Sequence, residues 1–150
     1  MISTQVNCVI NAPIEQVWAT IRPFDSLSHW HPYVKHCVVE EGLARSEVGC
    51  IRRIDLEGGG VVRETLLGLS DLDHVIVYDI IESSMPVANY VATLSLHRIA
   101  EDDTVSAEWM VEFDVTDGPE EAMIATLQDI FNTGLHALNQ LVSNHRAAVS

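Results

Sequence analysis

The chain has 150 residues, 47% of them hydrophobic, and its 22 acidic residues against 8 Lys and Arg give a net charge of -14. This length is enough for one domain with a proper hydrophobic core. The negative charge opposes binding to nucleic-acid phosphates and to acidic lipid surfaces. We therefore expect residues 1–150 to form a single domain. Its expected partner is a small neutral or apolar molecule, unless a basic group lies inside a pocket, and not a nucleic acid.

The start of the chain predicts no export signal. Residues 1–5 lack the basic and apolar regions of a signal peptide, and no apolar run reaches the length of a transmembrane helix. Cys8, Cys37 and Cys50 are odd in number and have no ligand spacing, which favours core thiols in a reducing compartment. The sequence therefore predicts a cytoplasmic protein without membrane insertion.

The first part of the chain predicts a strand and two short helices. Residues 3–10 alternate between apolar and polar side chains, as in a half-buried strand. A short helix then starts at Asn11-Ala12-Pro13-Ile14-Glu15, with Asn11 or Ala12 as its cap, and ends at Pro23. Residues 25–30 predict a second short helix.

Strands joined by turn signals fill the middle of the chain. Consecutive strands with short connections pair as antiparallel neighbours. Glycine, proline and acidic clusters mark the turns between them. The six predicted strands are 34–40, 48–56, 61–69, 74–82, 88–99 and 104–115.

The C-terminal segment predicts one long helix. It begins at Asp117-Gly118-Pro119-Glu120-Glu121, where proline and carboxylates mark a helix start, and runs to about His145-Arg146. Such a helix is roughly 40 Å long and needs a broad apolar cover. Gly134 either lets the helix pack closely or leaves room for a cavity. The apolar stripe comprises Ile124, Leu127, Phe131, Leu135, Leu138, Leu141 and Val142.

These elements predict an α+β protein in which a curved, seven-stranded antiparallel sheet grips the last helix, with two short helices after the first strand. Any cavity should lie between sheet and helix. Turn lengths then predict which side chains face inward: a three-residue loop over 71–73 and a hairpin centred between Asp102 and Asp103 place Tyr90 on this face. The predicted pairs are Glu64 with Ile80, Leu66 with Tyr78, Ala92 with Phe113, Leu94 with Val111, and Leu96 with Trp109.

Glu64 is the one carboxylate on this otherwise apolar face. An ionised carboxylate there needs a partner or water. Centring the Gly58-Gly59-Gly60 turn on Gly58 places Arg52 opposite Glu64, whereas a two-residue Gly58-Gly59 loop places Arg53 there. The pair is either a partly exposed cross-strand ion pair or a polar pair that lines a cavity.

Several local strings resemble the START-like SRPBCC superfamily, in particular its polyketide cyclase/dehydrase and lipid-transport branch. The resemblance covers nearly the whole chain and implies the helix-grip fold. It is carried by Ile10-Asn11-Ala12-Pro13-Ile14-Glu15-Gln16-Val17-Trp18, Val48-Gly49-Cys50-Ile51-Arg52, Arg63-Glu64-Thr65-Leu66 with Asp71, and the C-terminal helix.

A narrower resemblance links the chain to the plant abscisic acid receptors of that superfamily. It implies that His31, Tyr33, Arg52, Glu64, Tyr78, Ile80 and Tyr90 line or border a ligand pocket, and it favours the Arg52 register. The chain departs from the receptors where His31 replaces a ligand-binding lysine, in the Glu57-Gly58-Gly59-Gly60 turn and at Met85-Pro86-Val87. Hormone perception and phosphatase regulation are therefore not implied, but a pocket for a small apolar molecule is.

Two functional hypotheses follow from these residues. In the first, the protein is a polyketide cyclase/dehydrase-like enzyme in which Glu64 or His31 removes a proton and Arg52 or a tyrosine hydroxyl stabilises the enolate. In the second, it is a non-catalytic carrier or sensor of a hydrophobic metabolite or lipid. Under both hypotheses, the candidate ligand-binding residues are Tyr33, Tyr78, Ile80, Tyr90, Trp109 and Phe131.

Other kinds of site have weaker support. His29, His31 and His36 suggest a metal site only loosely, because no carboxylate lies at ligand spacing, and we expect no metal. No phosphate-binding or dinucleotide motif is present, so no cofactor is expected. A third hypothesis is that the apolar surface near Met85 and Pro86 pairs two copies into a homodimer.

Overall fold

The computed structural model describes residues 1–149, which form one antiparallel sheet and three helices. The strand order β1-β7-β6-β5-β4-β3-β2 leaves β1 and β2 at the two edges. The predicted α+β helix-grip class is confirmed. The elements are β1 (Ile2–Ile10), α1 (Ile14–Ile21), α2 (Leu27–Trp30), β2 (Val34–Val39), β3 (Ile51–Leu56), β4 (Val61–Ser70), β5 (Val75–Glu82), β6 (Val87–Ile99), β7 (Thr104–Val115) and α3 (Glu120–Val149).

Helix α3 packs its apolar stripe against the sheet. Leu127, Phe131, Leu135 and Leu138 are almost fully buried, because their three- and four-residue spacing places them on one face. Leu141 is the exception: it is 45% exposed, and Val142 supplies the buried contact in that turn. The helix runs three residues beyond the predicted end. No helix within residues 1–149 has a stretch long and apolar enough to cross a membrane.

Helix α1 starts without the side-chain cap that the sequence suggested. Its N-cap is Pro13, and no side-chain hydrogen bond caps it. The Asn11 backbone N–H donates to Asn139 Oδ1 of α3, at 2.8 Å, but the predicted caps were wrong because α1 begins only at Ile14 and Pro13 takes the N-cap position. At its other end, Trp18 and Arg22 both donate to Asp71 in the β4–β5 turn, which fixes the helix across the end of the sheet.

The sequence prediction missed two features of the β4–β5 hairpin, and their effects on the register cancel. Ser70 pairs with Val75, so the loop has four residues and not the predicted three, and His74 in it has φ 57. A bulge between Leu66 and Gly68 then shifts the register back by one. Because the bulge compensates for the longer loop, the predicted pairs of Glu64 with Ile80 and of Leu66 with Tyr78 are confirmed.

The β6–β7 hairpin pairs two residues away from the predicted register. Ile99 pairs with Thr104, so the loop covers residues 100–103 and is not centred between Asp102 and Asp103. Arg146 of α3 donates to the carbonyl oxygens of Asp102 and Asp103, a tertiary contact that helps to fix this loop. A shift by two keeps every side chain on its predicted face. The observed pairs are Ala92 with Val111, Leu94 with Trp109, and Leu96 with Ala107.

Strand β3 begins at Ile51, three residues later than predicted. Ser46 has φ 65 and Gly49 has φ 98, so the chain before Cys50 turns instead of continuing as a strand. Val48, which the prediction placed in the strand, is 55% exposed. The remaining strand boundaries agree with the predicted ones to within one residue.

Gly134 brings α3 into close contact with the loop after α2 and with β7. A Cβ atom at this position would lie 2.6 Å from His31 Cδ2 and 3.1 Å from Trp109 Cζ3. Of the two interpretations of this glycine, the structure supports close packing, because the two rings already fill the space above it.

We expect Gly134→Ala to destabilise the protein, although alanine normally favours a helix over glycine by about 1 kcal/mol. The added methyl group must displace His31 or Trp109, and such overpacking costs about 1–3 kcal/mol. Urea unfolding should therefore show a lower free energy of unfolding. Thr126→Ala on the exposed face of α3 is the matched control. Unchanged or raised stability in Gly134→Ala would contradict the close contact.

Candidate functional site

An apolar cavity of about 260 Å³ lies between α3 and the inner face of the sheet. Its walls are mostly aliphatic and aromatic side chains, and it opens where Tyr33, Glu57 and Ser84 reach the surface. Hydrophobic walls with a few polar groups are typical of small-molecule sites. From the sheet it is lined by Ile54, Val62, Ile80 and Trp109, and from the helix by Leu127, Ile130 and Phe131.

The structure brings all but one of the predicted site residues to this cavity. Arg52 is the exception: it lies behind Glu64 and contributes nothing to the wall. The predicted residues that line the cavity are His31, Tyr33, Glu64, Tyr78, Ile80, Tyr90, Trp109 and Phe131.

The other lining residues were not predicted. Ile54 and Val62 lie two positions from Arg52 and Glu64 on the same strands, so strand alternation was a sufficient signal for them. Ile130 adjoins the stripe of α3 and is half-buried. The loop residues had no comparable signal, because no periodicity places a loop side chain. The loop after β5 contributes Ser83, Ser84 and Met85.

Arg52 and Glu64 form a buried ion pair across β3 and β4. They are directly opposite in the ladder, which confirms the Arg52 register, and Arg53 instead lies opposite Arg63. Arg52 Nε donates to Glu64 Oε1 at 2.8 Å, and Nη2 lies 2.7 Å from the same oxygen. Arg52 is 5% exposed and Glu64 6%. The alternative of a partly exposed surface pair is therefore wrong.

The environment of the Arg52 guanidinium leaves it no free face. Nη1 donates to the Phe24 carbonyl oxygen at 3.0 Å. The guanidinium carbon Cζ of Arg52 lies 4.0 Å from the centre of the Phe24 ring and 4.6 Å from that of the Tyr78 ring, within cation–π range. Burial alone would lower the pKa of Arg52, but the neighbouring Glu64 carboxylate raises it. The arginine thus stays charged and holds Glu64 in place.

One oxygen of Glu64 faces the cavity. Both contacts from Arg52 go to Oε1, and Oε2 accepts no hydrogen bond from any side chain or backbone N–H of residues 1–149. Since every fully buried polar side-chain atom in that range has a partner, Oε2 must be open to the cavity. Burial raises the pKa of Glu64, and the charge of Arg52 opposes this rise.

Two buried tyrosines form the other polar group of the cavity. Trp109 Nε1 donates to the Tyr78 hydroxyl at 3.0 Å. Tyr90 is buried as well and lines the same cavity. Burial raises the pKa of both phenols above the ordinary value. Both therefore remain protonated and can donate a hydrogen bond.

His31 is buried and both of its ring nitrogens are occupied. Nε2 lies 2.8 Å from the Ile130 carbonyl oxygen and must donate to it, while Nδ1 accepts the Tyr33 backbone N–H at 3.1 Å. This arrangement requires the neutral ring with its proton on Nε2. Burial lowers the pKa of His31. The side chain therefore connects the segment after α2 to helix α3.

Aromatic rings close the inner end of the cavity without filling it. The rings of Trp109 and Phe131 stack with their centres 4.5 Å apart and an interplanar angle of 12°. Trp30 is buried and packs against Trp109, but it does not line the cavity itself. At the mouth, the Tyr33 hydroxyl donates to Asp129 Oδ2 at 2.7 Å.

The three histidines considered as metal ligands do not form a metal site. Within residues 1–149, no group of three or more His, Cys, Asp or Glu side chains is arranged to hold a metal ion. Of the three, only His31 is buried, and its nitrogens are used as described above.

A sheet that wraps a long terminal helix, with an apolar cavity between them, defines a helix-grip protein. Residues 1–143 match the family model described as "Polyketide cyclase / dehydrase and lipid transport". The chain belongs to this family, and the predicted membership of the START-like SRPBCC superfamily is confirmed.

Similar proteins come from plants and bacteria. The abscisic acid receptor PYL10 of Arabidopsis thaliana is 32% identical over 74% of this chain, and PYL1 of the same plant is 30% identical over 74%. The aligned parts are only 61% and 52% of the receptors, so the chain spans little more than half the length of these curated relatives. Among solved structures, protein XoxI of Bacillus cereus superposes with a TM-score of 0.89 at 29% identity, covering 97% of this chain and 99% of its own. A protein of Nitrosospira multiformis gives 0.84 at 27%, with the same coverage of both chains.

We expect Arg52→Met to destabilise the protein by about 3–5 kcal/mol at neutral pH, because it leaves Glu64 buried without its partner. Without Arg52, the pKa of Glu64 in the folded protein rises further. The variant should therefore be most stable below the ordinary Glu pKa of about 4.3 and lose stability as pH rises through the folded-state value. Urea unfolding at several pH values measures this slope.

The double variant Arg52→Met/Glu64→Leu is the matched control. It removes both charges, and replacing a buried pair by apolar side chains is often neutral or stabilising. It should therefore recover most of the lost stability and lack the added pH dependence. Equal stability of the single and double variants at neutral pH would show that Glu64 does not depend on Arg52.

Proposed function

We propose that the protein binds a small, largely apolar molecule in the cavity between α3 and the sheet. The observation that carries this proposal is an apolar chamber of about 260 Å³ that contains an unpaired carboxylate oxygen of Glu64 and the hydroxyls of Tyr78 and Tyr90. Such convergent polar groups on apolar walls orient a bound molecule. The abscisic acid receptors among its relatives support a ligand-binding role.

The size of the cavity restricts the ligand. Sites for drug-sized molecules commonly measure about 300–1,000 Å³, so a chamber of about 260 Å³ suits a compact molecule of one or two rings better than a long acyl chain. We propose that residues 1–150 act as a single binding domain of this kind, either as a carrier or as a sensor.

A second candidate is an acid/base reaction in the same cavity. It is favoured by the raised pKa of Glu64 and by its open oxygen, which together resemble the arrangement of a general base. Glu64 would take a proton from a methylene next to a carbonyl group, and a tyrosine hydroxyl would donate to the enolate oxygen. Arg52 would then hold the base in position. His31 would orient the wall of the cavity, since its ring nitrogens already bond the backbone.

Binding is tested by filling the cavity. The purified protein is incubated with a metabolite extract of its host, and retained compounds are identified by mass spectrometry. We expect one compound to be retained stoichiometrically by the wild type and lost by Ile80→Trp, because Ile80 lines the cavity and a tryptophan there occupies it. Ile81→Trp, on the exposed side of the same strand, is the control and should retain the compound. Equal retention by Ile80→Trp would rule out this cavity as the site.

Catalysis is tested with Glu64→Gln. If the ligand is a substrate, the wild type accumulates a water-loss or isomeric product beyond its own molar amount. With the compound at saturating concentration, the variant should then lose at least about a hundredfold in turnover, as expected when a general base is removed. Undiminished turnover would exclude Glu64 as the base.

A further inference from the structure

Each hydrogen-bonding group that lines the cavity can be checked for a partner within the protein. Most of them already have protein partners, so the few that remain describe the polar group of the ligand. The ligand must satisfy them, because an unpaired buried polar group costs free energy.

The first open group is an acceptor. Glu64 Oε1 takes both contacts from Arg52, and Oε2 accepts nothing from residues 1–149 while bordering the cavity. A ligand that fills the cavity removes water from this oxygen. It must then donate a hydrogen bond to it or leave it unsatisfied.

The second open group is a donor. Tyr78 and Tyr90 carry two hydroxyl hydrogens, and a hydrogen bond between the two hydroxyls would use only one of them. Trp109 Nε1 only donates to Tyr78 and therefore takes up no hydrogen. The other hydroxyl hydrogen has no acceptor among the side chains that the structure describes. Because both tyrosines line the cavity, this hydrogen is available to a ligand.

No basic side chain balances an anion in the cavity. None of the lining residues is Lys or Arg, and the Arg52 charge is already used by Glu64 and the Phe24 carbonyl oxygen. His31 is neutral, and its single N–H donates to the Ile130 carbonyl oxygen. Glu57 at the mouth adds a further negative charge. An anionic ligand would therefore approach two carboxylates and meet no cation.

We infer that the ligand is an uncharged molecule of one or two rings whose inner end is a hydroxyl group, which donates to Glu64 Oε2 and accepts from the Tyr78–Tyr90 pair. A hydroxyl satisfies both open groups at once, because it is both donor and acceptor. An ether or a carbonyl group satisfies only the tyrosines, and a carboxylate is repelled by Glu64. The inference rests on the proposed binding function and defines the chemistry of that ligand.

The inference is tested with three probes that share one ring system: naphthol, methoxynaphthalene and naphthoate, substituted at the same position. Dissociation constants are measured at neutral pH by titration calorimetry with the wild type and Ile80→Trp. We expect naphthol to bind about tenfold or more tightly than methoxynaphthalene, because the ether leaves Glu64 Oε2 unsatisfied. Naphthoate should bind more weakly still. All binding should be lost in Ile80→Trp.

The outcomes separate this inference from the proposed function. If the three probes bind equally well, or naphthoate binds best, and Ile80→Trp abolishes binding, the cavity is a ligand site but the inference is overturned. If no probe binds, or if Ile80→Trp binds all of them as the wild type does, the inference and the cavity proposal both fail.

A substitution at Glu64 should reverse the order in which the probes bind. In Glu64→Gln the side-chain oxygen can still face Arg52, so the amide N–H₂ faces the cavity and the open acceptor becomes a donor. The order of affinity should then invert, with naphthoate about tenfold or more tighter than naphthol. Glu112→Gln removes a negative charge from the exposed outer face of β7 and should keep the wild-type order. If Glu64→Gln does not fold, the wild-type series still decides, and an unchanged order in a folded variant overturns the inference.

Discussion

The buried Arg52–Glu64 pair is the interaction on which the cavity depends. Placing two charges in an apolar interior costs free energy, and their attraction offsets that cost only when the geometry is good and the remaining hydrogen bonds are made. Arg52 meets these conditions through Glu64, the Phe24 carbonyl oxygen and two aromatic faces. Glu64 meets them only in part, because one oxygen stays open. A pair of this kind contributes little net stability, so we propose that its role is to present a carboxylate to the cavity.

The depth at which α3 enters the sheet sets how much space remains beside that carboxylate. Gly134 allows His31 and Trp109 to contact the helix backbone, and the stack of Trp109 on Phe131 continues this contact along the inner end of the cavity. The helix is therefore packed tightly at Gly134, while the space next to Tyr78, Tyr90 and Ile80 stays open. Because interiors pack close to crystal density, a cavity of about 260 Å³ is retained only where neighbouring contacts are rigid.

Family membership and the residues of the cavity carry different information. The matched family and the bacterial structures agree with this chain over nearly its whole length, and they define the fold. Fold alone does not define function. The polar groups of this cavity are an acidic oxygen, two tyrosine hydroxyls and a neutral histidine that is fixed by the backbone. We infer from their combination that the cavity disfavours an anionic ligand, which the family description alone does not specify.

The sequence by itself determined the class of fold, the inner face of the sheet and part of the cavity wall, including Glu64, Tyr78 and Tyr90. It did so because side-chain direction alternates strictly along a strand and recurs every three or four residues in a helix. Even the wrong register of β6 and β7 kept Ala92, Leu94 and Leu96 on the correct face, since the error was an even number of residues. The glycine turn left Arg52 and Arg53 open as partners of Glu64; the family resemblance favoured Arg52, and the structure confirms that pairing.

Only the tertiary structure decided which polar atoms remain open. Whether Glu64 Oε2 has a partner, whether the His31 nitrogens are free and whether Gly134 leaves space all depend on distances between elements that are far apart in sequence. Loop residues such as Met85 joined the wall for the same reason, because no periodic pattern governs them. The sequence defines faces through local geometry, whereas the pairing of hydrogen bonds and the volume of a cavity arise only when the faces are packed together.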